Sequence, residues 1–344
     1  MGDREMRAIV VALLLVTHAG WAASFDPTLV GPAVKEGAVT WYTGLIVNQA
    51  ARPLAEAFEK RFPGIRVSYA RSSNTETTLK ILNEARARRT VADVFDVTSG
   101  IYTLLDAHVV AAYPPKSADG FAPQHKDKDG YWTASNLYFM TFCYNTNLIK
   151  PADAPRTFED LVSPRWVGKI AWTSEPAITG PPGFIGNVLT TMGQDAGMAW
   201  LKRFATLKPA ALPISPRAVM DQVISGEYAI GMQIYNHHAA ISAAAGAPVD
   251  WVKLEPLLGL FSEMGILKDA PHPNAARLFV EWVMSEEGQK VLADNDYLPA
   301  NPAVAPRVPA LRPDGGGFKV DYISPMRARD ELPKWTAIYQ ELFR

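Results

Sequence analysis

The chain is poor in the residues that most often announce chemistry. It has a single cysteine, Cys143, so no internal disulfide can form and the fold must rest on its core. Cys143 sits in "MTFCYN" and reads as a small buried hydrophobe rather than a nucleophile. Formal net charge is −1, which gives no bulk attraction to nucleic acid or to an anionic membrane. Beyond the N-terminus no run reaches the roughly 18 apolar residues of a membrane helix. The G-x-S-x-G elbow, H-E-x-x-H, C-x-x-C and the phosphate-cradling G-x-x-x-x-G-K-[ST] are all missing. A secreted hydrolase using His237 or His238 as base is therefore a remote alternative, and no catalytic residue is assigned.

What is present begins at the N-terminus. Arg4 and Arg7 precede an apolar stretch from Ala8 to Val16, and small residues follow to Ala22 and Ala23. This order predicts a secretory signal peptide over residues 1–23. No cysteine stands near its end to carry a lipid anchor. The remaining chain is long enough for two domains of ordinary size.

The next stretch alternates strand and helix. "GAVTWYTG" starts as a strand. "LAEAFEKRF" places Leu54, Ala57 and Phe58 at helical spacing, and Pro63-Gly64 stops it. "IRVSYA" is a second strand. "NTETTLKILNEARARR" is a helix capped by Asn74 or Thr75, with Leu79, Leu82 and Ala85 as its apolar stripe. "ADVFDVTS" is a third strand and "GIYTLLDAHVV" returns to helix. The alternation predicts a parallel sheet with helices on its faces. A long β-rich run over 129–147 leads to a second block. There "GKIAWTSE", "YAIGMQIY" and "VDWVKLEP" read as strands. "FIGNVLTTMGQDAGMAWLKRFATL", "PRAVMDQVISG" and "HAAISAAAGAPV" read as helices. "HPNAARLFVEWVMSEEGQKVLADND" reads as one long amphipathic helical segment, and the Pro- and Gly-rich "PAVAPRVPALRPDGGGF" as loop.

Two α/β blocks joined by a β-rich crossover predict two lobes with a cleft between them. In open α/β sheets, ligands bind at the carboxyl ends of strands. Small and polar residues gather at those ends: Thr43-Gly44, Ser72-Ser73-Asn74, Thr98-Ser99-Gly100, "EPAITGPPG" with Thr179 and Gly180, and "YNHH" with Tyr235, Asn236 and His237. Each loop alone is compatible with turn and cap chemistry. Their shared placement favours a ligand site. Helix starts beside them favour an anion. Arg217 and Arg71 can add a charge-assisted contact, with surface solvation the preferred reading for Arg71. Trp41 and Trp172 lie near the same loops and read as core.

The ordered motifs resemble those of bacterial family 1 extracellular solute-binding proteins. They are "VTWYTG", "LAEAFEKRFPGIRV", "NEARARRTVADVFDVTS", "CYNTNLI", "VSPRWVGKIAW", "AGAPVDWV", "APHPNAARLFVEWVMSEEGQ" and "DYLPANP", over about residues 37–305. The resembling branch contains ferric-iron, phosphonate and sugar-phosphate binders. The resemblance implies a type II periplasmic binding fold. Each lobe is a mixed, mostly parallel sheet flanked by helices, and crossing hinge strands join the two. It implies one lobe from 24–138 and 259–296, and another from 139–258 and 297–344. It also implies a periplasmic, monomeric receptor that performs no chemistry, closes around its cargo and delivers it to an ABC permease driven by a cytoplasmic ATPase.

Iron binders of this branch place hard ligands at three positions. Here those positions fall at about Ile46, near Thr98 and Ser99, and at Asn236-His237 or a neighbour, so each expected ligand is replaced. The pair His237-His238 in "IYNHHAA" does not rebuild a metal site, because adjacent side chains diverge on either a strand or a helix. No metal or cofactor is therefore assigned. The expected cargo is a small organic anion (a phosphonate, a phosphate ester or a carboxylate), with ferric iron as the alternative. The expected ligand residues are Thr43, Gly44, Ser73, Asn74, Thr98, Ser99, Thr179, Gly180, Arg217, Tyr235, Asn236 and His237.

Overall fold

The computed structural model describes residues 26–98 and 100–344. The signal-peptide reading and Ser99 fall outside the described residues. In chain order, the first block holds α1 (Val30–Glu36), β1 (Ala38–Thr43), α2 (Arg52–Arg61), β2 (Arg66–Arg71), α3 (Asn74–Arg86), β3 (Val94–Val97), α4 (Ile101–Asp106) and β4 (Val110–Ala111). The long β5 (Thr133–Asn145) follows. The second block holds α5 (Phe158–Leu161), β6 (Ile170–Thr173), α6 (Pro181–Met192), α7 (Gln194–Ala205), β7 (Ala210–Leu212), α8 (Pro216–Ser225), β8 (Ile230–Tyr235), α9 (Asn236–Ala244) and β9 (Val249–Val252). The chain returns through β10 (Leu257–Leu267), α10 (Pro273–Met284), α11 (Glu286–Asp294) and β11 (Leu298–Pro299). It ends with α12 (Pro313–Gly316), β12 (Val320–Tyr322) and α13 (Pro325–Phe343).

The principal sheet order is β2-β1-β3-β10-β5-β8-β6-β7. The outer strands are parallel: β2, β1 and β3 on one side, and β8, β6 and β7 on the other. The two long central strands run antiparallel to each other and to their neighbours in this order, while the short β12 pairs with β10 in parallel. Residues Thr133–Met140 of β5 lie beside β10, whereas Met140–Tyr144 lie beside β8. β5 thus leaves the first half of the sheet and enters the second, and β10 makes the reverse crossing. Every residue of both strands is buried. Layers on both faces explain why neither strand shows the strict apolar–polar alternation of a half-exposed sheet.

Helix boundaries follow local chemistry. α3 is capped by Ser73, not by Asn74 or Thr75. Its hydroxyl accepts from the Glu76 amide while the Glu76 carboxylate accepts from the Ser73 amide, a reciprocal box. The buried face of α3 is Thr77, Thr78 and Ile81, and Leu79 is 52% exposed, so the buried stripe sits about one residue earlier than its leucines suggested. The segment over 184–207 is two helices, because Gly193 at φ +81° ends α6 and caps α7. The segment over 271–295 also divides. The Ser285 hydroxyl donates to the Trp282 carbonyl and accepts from the Gly288 amide, ending α10 and opening α11. "PALRPDGGG" is not wholly loop, since it includes a 3-10 turn and α12.

α10 buries Phe279 and Trp282 against Trp41 and Phe58 in tilted and edge-on ring contacts. Trp41 and Trp172 are both fully buried, as read from sequence. Cys143 is buried and its thiol is pushed up to about 12 by desolvation. α13 packs on α6, and Gly186 permits the contact, since a β-carbon there would fall 2.6 Å from the Trp335 ring.

Candidate ligand-binding cleft

A cleft of about 450 Å³ opens where the carboxyl ends of strands from both halves of the sheet converge. Gly44 and Ile46 follow β1. Arg71 ends β2, and Ser72, Ser73, Asn74 and Thr75 lead into α3. Thr98 follows β3 and Tyr138 rises from the crossing strand β5. On the other side stand Glu175, Pro176, Ala177 and Thr179 after β6, Ser215, Pro216 and Arg217 at the start of α8, Tyr235 at the end of β8, and His238 on α9. Tyr297 completes the wall. α3 and α8 begin on this wall, so their positive dipole ends lie against the cleft.

Of the sequence-derived candidates, the structure brings Gly44, Ser73, Asn74, Thr98, Thr179, Arg217 and Tyr235 together on the cleft. Thr43, Gly180, Asn236 and His237 stand one layer behind it, each for a visible reason. Thr43 is fully buried, accepts from the Leu45 amide at 3.0 Å and hydrogen-bonds Asp96. Gly180 accepts from the Gln233 side chain at 3.2 Å, and a β-carbon there would run into the Glu175 carbonyl. Asn236 donates to the Leu311 carbonyl at 2.9 Å, pinning the 309–311 turn to α9. His237 is 1% exposed and packed among Tyr138, Tyr235, His238 and Tyr297. Neither of its ring nitrogens has a hydrogen-bond partner among the described residues, and burial holds it neutral, well below the usual imidazole range. The neighbouring His238 lines the cleft instead, with its pKa lowered to about 4 by burial and then by Arg217. Adjacent histidines diverging on a helix account for the split.

Hydrogen bonds brace the first wall. The Asn74 carboxamide oxygen accepts from the Thr98 amide at 2.9 Å, joining the loop after β3 to the start of α3. Behind Gly44 lies the fully buried Asp96, which accepts from Trp41 Nε1 at 2.7 Å, Ser262 Oγ at 3.0 Å and the Gly44 amide at 3.3 Å. Desolvation still pushes its pKa up to about 6. Glu263, equally buried, is raised well above its ordinary range by burial.

Sequence reasoning set aside or missed several groups that line the cleft. Arg71 is on the wall rather than merely solvated, and among the described residues it forms no ion pair. Tyr138 and Tyr297 were missed, because one lies within a buried strand and the other in a loop from the far end of the chain. The Tyr138 and Tyr235 rings meet at 5.0 Å. Burial raises all three tyrosine hydroxyls, and that of Tyr297 reaches about 12 although the Ile46 amide and the Arg71 guanidinium oppose the shift. Glu175 was quoted only within its loop. Its carboxyl is raised by desolvation, and it makes no ion pair among the described residues. No group of three or more His, Cys, Asp or Glu side chains among the described residues is placed to hold a metal ion.

The cleft lies between two α/β halves linked by crossing strands, an arrangement suited to capturing a ligand. The chain belongs to the bacterial extracellular solute-binding protein family, whose sequence profile it matches over residues 95–314. It is 26% identical over 245 residues to the Fe(3+)-binding periplasmic protein of Serratia marcescens, covering 68% of this chain and 70% of that protein. Among solved structures, it resembles the periplasmic binding protein AfuA from Actinobacillus pleuropneumoniae with fructose-6-phosphate bound (TM-score 0.74, 20% identity, 89% of this chain and 98% of the other). It also resembles the substrate-binding protein of an ABC transporter from Agrobacterium tumefaciens (TM-score 0.76, 18% identity, 89% and 94%). At these identities the two structural likenesses show the fold, which is the two-lobed periplasmic binding arrangement.

Proposed function

We propose that the cleft captures a small organic anion, a phosphonate, phosphate ester or carboxylate, for delivery to an ABC permease and its cytoplasmic ATPase. The single observation that carries this reading is Arg71, a guanidinium on the cleft wall with no ion-pair partner among the described residues. Arg217 adds a second guanidinium, shared with Asp221 at 3.2 Å, and the starts of α3 and α8 add partial positive charge. Thr98 and Thr179 offer neutral hydrogen-bonding groups beside them. We assign residues 24–138 and 259–296 to one lobe and 139–258 and 297–344 to the other, with the cleft between them, in a monomer working in the periplasm.

A second reading has ferric iron as the cargo. Tyr138, Tyr235 and Tyr297 bring three phenol oxygens to one cleft, and His238 brings an imidazole. The Serratia relative is named for Fe(3+). Against it, burial holds all three phenols protonated, and Glu175 is the one carboxylate on the wall among the described residues. A hard trivalent cation favours several anionic oxygens.

A thermal-shift panel separates the two readings. It contains phosphonates, sugar phosphates, carboxylates and polyols, together with ferric citrate and ferric salt plus bicarbonate. At a hundredfold excess over Kd, a ligand specific to the folded state adds about 2.7 kcal/mol of stability, enough to see. A rise with one class of organic anion and none with iron supports the proposal. A rise with iron alone replaces it with the second reading.

A further inference from the structure

The cleft carries an unpaired charge of each sign. Arg71 stands at the end of β2, and Glu175 stands in the loop after β6, in the other half of the sheet. Among the described residues neither makes an ion pair, and the Glu175 carboxyl has no side-chain hydrogen bond. They line one cavity and remain separate.

We infer that the ligand is dipolar: an anionic group seated by Arg71 at the start of α3, and a cationic ammonium group facing Glu175 and the Tyr138–Tyr235 corner. This inference rests on the organic-anion reading and narrows it.

The physical reason is charge balance inside a partly desolvated space. A ligand with only negative charge gains from Arg71 but meets the Glu175 carboxylate across the same cleft, where low dielectric strengthens repulsion as much as attraction. An ammonium on the same ligand converts that repulsion into a second charge-assisted contact. The aromatic wall suits a cation as well. The Tyr138 and Tyr235 rings both line the cleft and meet at 5.0 Å with planes 50° apart, placing two π systems at one corner of it. Their hydroxyls stay protonated, so the corner is neutral, and Glu175 supplies its negative charge. A cleft of about 450 Å³ has room for a molecule with two separated charged groups.

The test uses matched probes differing by one ammonium: ethylphosphonate against 2-aminoethylphosphonate, and propionate against β-alanine. Each is titrated calorimetrically into the wild-type protein and into Glu175→Gln. The variant changes an exposed side chain, and its ligand-free melting temperature confirms that it folds. The expected result is that the ammonium member of at least one pair binds ten times or more tighter to wild type, and that Glu175→Gln removes this preference. Equal or weaker binding of both ammonium members, or a preference that persists in Glu175→Gln, overturns the inference. In that case binding of ethylphosphonate or propionate leaves the organic-anion reading standing. Absence of binding by all four probes, with a thermal shift from ferric salt alone, overturns both.

Discussion

Replacing Arg71 by alanine isolates the anion contact from the fold. Arg71 closes β2 in register with Thr43, its side chain is exposed, and it has no ion-pair partner among the described residues. Removing it breaks no buried contact, so ligand-free stability should change by no more than about 0.5 kcal/mol, as at ordinary surface positions. Its loss should appear in binding. A hydrogen bond to a charged group is worth about 1.5–3 kcal/mol, and tenfold in Kd corresponds to about 1.4 kcal/mol. Arg71→Ala should therefore weaken the organic anion found in the panel by about 10- to 100-fold. Arg71→Lys should fall between, because an ammonium keeps the charge but loses the planar fork that grips two oxygens. Titration calorimetry gives Kd, and a urea melt of the same samples gives stability. Unchanged affinity in Arg71→Ala would refute the assignment of Arg71 to the ligand. A large loss of ligand-free stability would refute the claim that its side chain is uncommitted.

Two further outcomes follow from the core. Asp96 has a folded-state pKa of about 6, above its unfolded value, so between about pH 4 and 6 the native state holds more protons and its contribution to stability falls as pH rises. Asp96→Asn should remove that slope. The stability difference between variant and wild type should then change by on the order of 3 kcal/mol across the window in urea melts, and parallel pH profiles would contradict it. Gly186→Ala drives a methyl into the buried Trp335 ring, with atoms 2.6–2.7 Å away. Overpacking of about 1–3 kcal/mol should outweigh the roughly 1 kcal/mol gained in helix propensity, lowering the melting temperature while leaving ligand affinity unchanged, and a raised melting temperature would refute it.

Much of the architecture was legible because period and punctuation agreed. The alternation of strand and helix through β1, α2, β2, α3 and β3 was carried by Leu54 and Phe58, by Pro63-Gly64 and by the polar start of α3. Less visible was what depends on partners distant in sequence. β10 is a fully buried strand, with Ser262 and Glu263 among its apolar residues, whose role shows only when β5 lies beside it. α13 gains its meaning from Gly186, some 140 residues earlier, which admits Trp335. The polar loops after strands pointed to the cleft, and Thr98, Asn74 and Tyr235 stand on it. Facing could not be read from residue type. Thr43 turns inward because the buried Asp96 needs a hydrogen bond, and His237 turns inward because His238, one step along α9, takes the outward direction. Tyr297 reaches the cleft from a loop beyond α11, and nothing in its own neighbourhood announces that.

The cargo itself tests the organic-anion assignment most directly. Native mass spectrometry of protein purified from the periplasm without unfolding reads it, with an absorption spectrum of the same sample. The expected result is a mass increment for one small organic anion and no visible tyrosinate-to-iron band. An increment of one iron atom, with a charge-transfer band that disappears on chelation, would contradict it.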